Sequence, residues 1–240
     1  MTAESETVGS AGPQMPEIVP ESPAIRLVVT LALAGLISGI AIMGIYEVTL
    51  PTITANKARV LREGVFKVLP GANRLQKLIY VDGDLAPTAD TRKDEQPIYA
   101  GYDMDGSFVG YAIPGAGPGF QDTIGLLYGF KPNTRQVIGM EVLESKETPG
   151  LGDKIYKDAE FVANFRQLSI EPEIVTVKKG KKSAANEVDA ITGATISSKA
   201  IVRIINETND IWLSRLPEPG AEPPLLEVQT EAAESAKTVD

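Results

Sequence analysis

The run Asp189-Ala190-Ile191-Thr192-Gly193-Ala194-Thr195 ends in a hydroxyl immediately ahead of an amphipathic stretch. Ala200, Ile201, Ile204, Ile205, Ile211 and Trp212 recur at helical spacing, which predicts a helix from about Ser198 to Leu213 with Ser197 as its N-cap. Thr195 is thereby set beside a helix N-terminus. Unpaired N–H groups and the positive end of the helix dipole favour an anion there, phosphate above all. Gly193 and Ala194 leave the backbone bare, so a phosphate or the active site of a modifying enzyme can reach the Thr195 hydroxyl. The chemistry on offer is attachment of a phosphorylated group, although a plain tight turn feeding a helix has the same composition.

A second segment, Glu147-Thr148-Pro149-Gly150-Leu151-Gly152-Asp153-Lys154-Ile155, reads as a turn in which Pro149 fixes φ and Gly150 and Gly152 permit positive φ. Taken alone it also fits a connector between a strand and a helix. The sequence resembles a known family at both places. Asp189 to Thr195 is similar to the flavinylation motif Asp-x-x-(Ser/Thr)-Gly-Ala-Thr of FMN-binding domains in ion-pumping redox complexes. The segment Glu147 to Ile155 resembles the signature of RnfG, a component of the Rnf electron-transport complex, whose nearest kin is NqrC of the sodium-pumping NADH:quinone oxidoreductase. The resemblance runs from about Ile25 to Leu216 and leaves out both tails. It implies FMN bound covalently through a phosphoester on Thr195, installed by an ApbE-type flavin transferase with FAD as donor. It also implies that Asp189, Thr192, Gly193, Ala194, Glu147, Thr148, Pro149, Gly150, Leu151 and Gly152 form the cofactor site, the low side-chain bulk of the second segment suiting a flat isoalloxazine ring. Ser145 stands where the family commonly has His, so no imidazole role carries over.

Composition excludes most other redox chemistry. The 240 residues contain neither Cys nor His, which removes iron–sulfur clusters, haem ligation, disulfides and nucleophile–imidazole pairs. No calcium-loop spacing is found among the acidic residues, so no metal site is expected. A formal net charge of -9 argues against nucleic acid as a partner. The basic run Lys178-Lys179-Gly180-Lys181-Lys182 reads as a solvated hairpin end. Gly115-Ala116-Gly117-Pro118-Gly119 lacks the Lys-Ser/Thr of a phosphate loop and reads as a connection between hairpins.

The elements that must position these motifs follow from patterning. Ile25 to Tyr46 is apolar without an internal charge apart from Arg26 at its start, about 22 residues, enough to cross a hydrocarbon core of about 30 Å. It predicts one transmembrane helix over 25–48, in contact with membrane lipid, with a Gly35-x-x-x-Gly39 strip suited to close packing on another helix. Residues 1–24 and 217–240, rich in Pro, Glu, Ala, Ser and Thr, read as disordered tails. Between 49 and 216 lies a stalk helix, capped by Thr54 and ended by Pro70-Gly71, and then the FMN-binding domain. Ile98–Met104 and Ser107–Ile113 flank Asp105-Gly106, a hairpin signal, and Thr123–Phe130 pairs with Gln136–Leu143. With a helix over Asp158–Leu168 and a strand near Ile174–Lys178, the fold class is α+β: a single N-terminal transmembrane helix followed by a domain of antiparallel hairpins and helices.

The expected function is that of a membrane-anchored flavoprotein subunit relaying electrons in an Rnf-type ion-translocating ferredoxin:NAD oxidoreductase, a translocase component with no catalytic residue of its own. Its expected partners are the other membrane and peripheral subunits of the complex and the flavin transferase. The alternatives are the FMN-carrying component of a sodium-pumping NADH:quinone oxidoreductase or another flavinylated system, or a membrane-tethered sensor or scaffold. Charge and resemblance disagree on topology. Only Arg26 precedes the span while Lys57, Arg59, Arg62 and Lys67 follow it, which by the positive-inside rule keeps the domain cytoplasmic. The resemblance implies the bacterial inner membrane with the flavin domain on the extracytoplasmic side, and that is the expectation adopted.

Overall fold

The computed structural model describes residues 24–88 and 96–226. The chain divides into two compact units, residues 1–54 and 55–240. The described residues of the first are helical throughout and open helix α1 (Ala24–Val68), whose last part belongs to the second unit. Residues 24–54 are all exposed, and the helix is long and apolar enough to cross a membrane. Thr30, Thr49 and Thr54 donate to the carbonyls of Arg26, Ile45 and Leu50 at 2.7, 2.8 and 2.9 Å. These threonine hydroxyls are therefore satisfied within the helix, as hydrocarbon requires. No new helix begins at Thr54. Its hydroxyl turns back to the preceding turn instead of capping, and α1 runs through Pro51, which removes one backbone bond without ending the helix. The expected N-terminal tail, but for Ala24, lies outside the described residues.

In the second unit β1 (Arg74–Val81), β2 (Asp84–Pro87), β3 (Ile98–Tyr102), β4 (Phe108–Pro118), β5 (Thr123–Lys131), β6 (Gln136–Glu144) and β7 (Leu168–Ser169) form one antiparallel sheet in the order β2-β1-β3-β4-β5-β6-β7. The Asp105-Gly106 turn forms where the sequence predicts it: Gly106 has φ 81, and Asp103 Oδ1 accepts from the N–H groups of Asp105 and Ser107. Side chains alternate across the sheet with period two. On β5, Ile124, Leu126, Tyr128 and Phe130 enter the larger core under helix α4 (Thr195–Trp212), while Leu127 joins Val65, Val68 and Leu69 of the α1 end on the opposite face. This is the α+β arrangement the sequence predicts.

Both helices rest on glycine. A Cβ at Gly129 would lie 2.0 Å from the Val68 carbonyl oxygen, and one at Gly115 would lie 2.6 Å from Thr208 Oγ1. The run Gly115–Pro118 is therefore not a connection between hairpins. It is the end of β4, paired residue by residue with β5, and its missing side chains make room for α4. Beyond β6 come α2 (Lys154–Lys157), α3 (Ala159–Ala163), a 3₁₀ turn at Asn164–Arg166, β8 (Val175–Val177) and β9 (Glu187–Asp189). Asp158 caps α3, its Oδ1 accepting from Glu160 and Phe161 N–H. β8 and β9 pair in parallel, so the lysine run is part of a crossover and not a hairpin end. The tail boundary at Leu216 also moves: residues 217–226 are described, and Gln76 and Tyr102 hydrogen-bond their backbone.

Candidate functional site

The segment following β6 folds around one carbonyl and one buried acid. Thr148 O accepts from the N–H groups of Leu151, Gly152 and Asp153 at 3.2, 3.0 and 3.4 Å. Gly150 takes φ 80, a conformation that costs an L side chain strain, and its N–H is held by Asp153 Oδ1 at 2.8 Å. Asp153 Oδ2 pairs with Lys157 Nζ at 2.6 Å. That ammonium, with the Gly150 N–H, holds the Asp153 carboxyl below the usual carboxylate range.

Glu147 ties this loop to its surroundings. Its carboxylate is buried, Oε1 accepting from Phe120 N at 2.8 Å and Gln121 N at 3.0 Å and Oε2 from Ser197 Oγ at 2.5 Å. Burial alone pushes this carboxyl up. The Ser197 hydroxyl and the backbone N–H groups outweigh it and hold the carboxyl below its usual range. Gly119 and Gly152 supply the space, since a Cβ would come within 2.4 Å of Oε1 at the first and 2.6 Å of Oε2 at the second. Thr148 Oγ1 donates to Gln121 Oε1 at 2.8 Å, a second tie to the β4–β5 turn.

The other motif is built from small residues. Asp189 Oδ1 accepts from Lys181 and Lys182 N–H, both at 3.1 Å, so this acid braces the crossover. Ile191 N donates to Ser198 Oγ at 3.1 Å, Ala194 N to Ile191 O at 3.0 Å, and Gly193 adopts φ 84. Helix α4 consequently starts at Thr195, three residues before its predicted start. Ser197 is not the N-cap: it lies inside the first turn and spends its hydroxyl on Glu147, while Ser198 donates to Ala194 O. Thr195 is exposed, its Oγ1 meeting only Ile191 O at 3.5 Å, and Thr192 and Gly193 are exposed beside it.

The two motifs, distant in sequence, thus meet at the start of α4. Glu147 bonds Ser197, and a Cβ on Gly193 would come 3.8 Å from Leu151 Cδ2. Pro149 and Gly150 are exposed and Ala194 is buried. Around this junction Phe120, Leu151 and Ile196 are 63, 50 and 57 % exposed. Uncovered apolar groups of that size beside a reachable hydroxyl suit a flat aromatic ligand. Sequence reasoning missed Ser197 as the partner of Glu147, Asp153 as the brace of Gly150, and Phe120 and Gln121 as carboxylate donors. Only their adjacency to the motifs marks them.

Comparisons with known proteins cover the region that holds both motifs. The family described as FMN-binding domain matches residues 119–210, a span holding both motifs, and the sheet with its crossing helix is the fold of a crystallised Shewanella oneidensis NqrC, with TM-score 0.53 at 17 % identity over 63 % of this chain and 91 % of that one. The class is that of FMN-binding-domain proteins. Within it, the RnfG-type component of the proton-translocating ferredoxin:NAD(+) oxidoreductase complex of Clostridium ljungdahlii is 30 % identical over 177 residues, 74 % of this chain and 85 % of the relative. The corresponding component of the ion-translocating oxidoreductase complex of Haemophilus influenzae (strain PittEE) is 32 % identical over 184 residues, 74 % and 84 % of the two chains. The chain belongs to the RnfG family of ion-translocating oxidoreductase components.

Proposed function

We propose that this chain is the membrane-anchored FMN carrier of an Rnf-type complex, relaying electrons between its other subunits, with the FMN phosphate esterified to Thr195. The observation that carries the reading is the Thr195 hydroxyl, exposed in the first turn of an 18-residue helix just after a bare Gly193-Ala194 turn. When bound, FMN supplies one- and two-electron exchange, chemistry that no side chain of this protein offers. The protein positions it. The free N–H groups of the α4 terminus favour the phosphate, Gly193 leaves its approach clear, and Leu151, Phe120 and Ile196 offer apolar surface for the ring. Glu147 accepts three hydrogen bonds, from the β4–β5 turn and the first turn of α4, which suits it to holding them together beneath the ligand.

The test is the intact mass of the chain produced with and without a flavin transferase. The expected gain is one FMN less one water: the Thr195 oxygen bonds the FMN phosphorus as its proton leaves, and the pyrophosphate bond of the FAD donor breaks to release AMP. An unchanged mass in the presence of an active transferase overturns the reading.

We further place the flavin domain on the extracytoplasmic face. Of the four basic residues after the span, Lys57 and Lys67 are held by Glu144 and Glu141 at 3.2 and 2.6 Å, so their presence has a reason other than orientation. Protease added to intact spheroplasts is expected to digest the domain; full protection until lysis would reverse the assignment.

A further inference from the structure

After α4 the chain turns along the part of the same sheet face that the helix leaves uncovered. Leu213 and Leu216 pack on the core, and the Arg215 guanidinium lies over the rings of Tyr80 and Trp212 at 5.3 and 5.6 Å. The next ten residues contain Pro217, Pro219, Pro223 and Pro224. The sheet anchors this stretch by its main chain. Gln76 of β1, fully buried, donates from Nε2 to Pro224 O at 3.3 Å and accepts at Oε1 from Leu226 N at 2.8 Å, and the Tyr102 hydroxyl donates to Pro223 O.

Leu225 packs on the core, but no residue of the stretch is fully buried. A cleft of 370 Å³ flanks it on the side of Arg74, Tyr102 and Phe108, and one of 410 Å³ on the side of Asp84, Leu85 and Pro87. Tyr111, its ring tilted at 58° to that of Phe108 with centroids 4.7 Å apart, has a buried hydroxyl with no partner among the described residues. Main-chain recognition of a proline-rich segment over aromatic side chains is how grooves bind extended peptides, whose preset backbone loses little entropy on docking.

We propose that the surface of β1, β3 and β4 left bare by α4 is a binding groove for an extended proline-rich peptide, and that residues 222–226, which follow a turn over Glu218–Ala221, are its tethered occupant. Gln76 is the recognition residue. Its amide, planar and two-sided, reads a carbonyl and an N–H two residues apart, which fixes register while leaving side-chain identity nearly free. Tethering keeps the groove filled, because the local concentration of the attached segment is in the millimolar range.

The experiment uses the detergent-solubilised full chain with a specific protease site inserted between Leu216 and Pro217. After cleavage under native conditions the 217–240 fragment is expected to co-elute with the remainder, to dissociate on dilution, and to be displaced by excess synthetic 217–226 peptide. Trp212 fluorescence and circular dichroism should report a folded domain throughout. Gln76→Leu removes both amide bonds and is expected to weaken fragment binding about tenfold to a hundredfold. Tyr102→Phe, a milder change, should weaken it about fivefold, and it serves as the readout should Gln76→Leu not fold. Immediate loss of the fragment from a folded domain would show that the groove does not bind it. Unfolding on its departure, or retention without exchange against peptide, would show a piece of the core in place of a ligand; each overturns the proposal.

Discussion

Two turns converge on the start of α4, and they treat their polar groups in opposite ways. In the loop after β6 the Glu147 carboxylate is buried and accepts three hydrogen bonds, and Asp153 accepts two more contacts from Gly150 and Lys157. Where the loop before α4 enters the helix, the Thr195 hydroxyl stands exposed with one long contact at 3.5 Å. The first loop spends its chemistry on fixing geometry and the second keeps its chemistry available. Rigidity and reactivity are thus divided between neighbours, which lets a group be presented without loosening the support behind it.

The largest effect that tests this division is Thr195→Ala. Covalent flavin is expected to vanish, read by in-gel fluorescence after denaturation, while the domain loses at most about 1 kcal/mol. Flavin that persists on a folded variant would end the attachment assignment. Glu147→Ala should show the reverse pattern. Phe120 and Gln121 N–H and the Ser197 hydroxyl lose their acceptor, at a cost of about 3 kcal/mol, which lowers the melting temperature by about 6–12 °C. Residual folded protein should still accept flavin at Thr195.

Acid offers the same test without mutation. The Glu147 and Asp153 carboxyls titrate lower in the folded domain than in the unfolded chain, so their stabilisation is complete above the ordinary values of 4.5 and 3.8 and is lost as pH falls below them. Melting temperature is expected to drop through that window, and Glu147→Gln should flatten the drop. Next in size is Gly152→Ala, whose Cβ would meet Glu147 Oε2 at 2.6 Å and Ser197 Oγ at 3.2 Å, costing about 2 kcal/mol in urea unfolding. The smallest change is Thr192→Ala. Its hydroxyl is exposed, so stability should move by less than about 0.5 kcal/mol and peptide mapping should still find flavin at Thr195.

What the sequence made legible was local. An uninterrupted apolar stretch marked the candidate span, Asp105-Gly106 marked its hairpin, and a hydroxyl after Gly193-Ala194 marked the exposed residue at a helix start. What escaped depends on partners far along the chain. Ser197 looks like a cap because its carboxylate partner lies fifty positions away. Gly115 and Gly117 carry the composition of a turn, yet the absent side chains serve the approach of α4. The stretch 217–226 has a tail's composition, and the buried Gln76 amide, invisible to any local pattern, holds it in place with the Tyr102 hydroxyl and the packing of Leu225. Pro51 likewise suggests a break that α1 does not make.

The placement of Thr195 also orders events in time. Its hydroxyl is reachable on the finished domain, whereas the turn that presents it closes only when Ile191 N meets Ser198 Oγ and Ala194 N meets Ile191 O. A nascent chain lacks that turn. On the proposed attachment at Thr195, modification is expected to follow folding, so that cofactor is committed only to a completed domain and misfolded copies stay colourless.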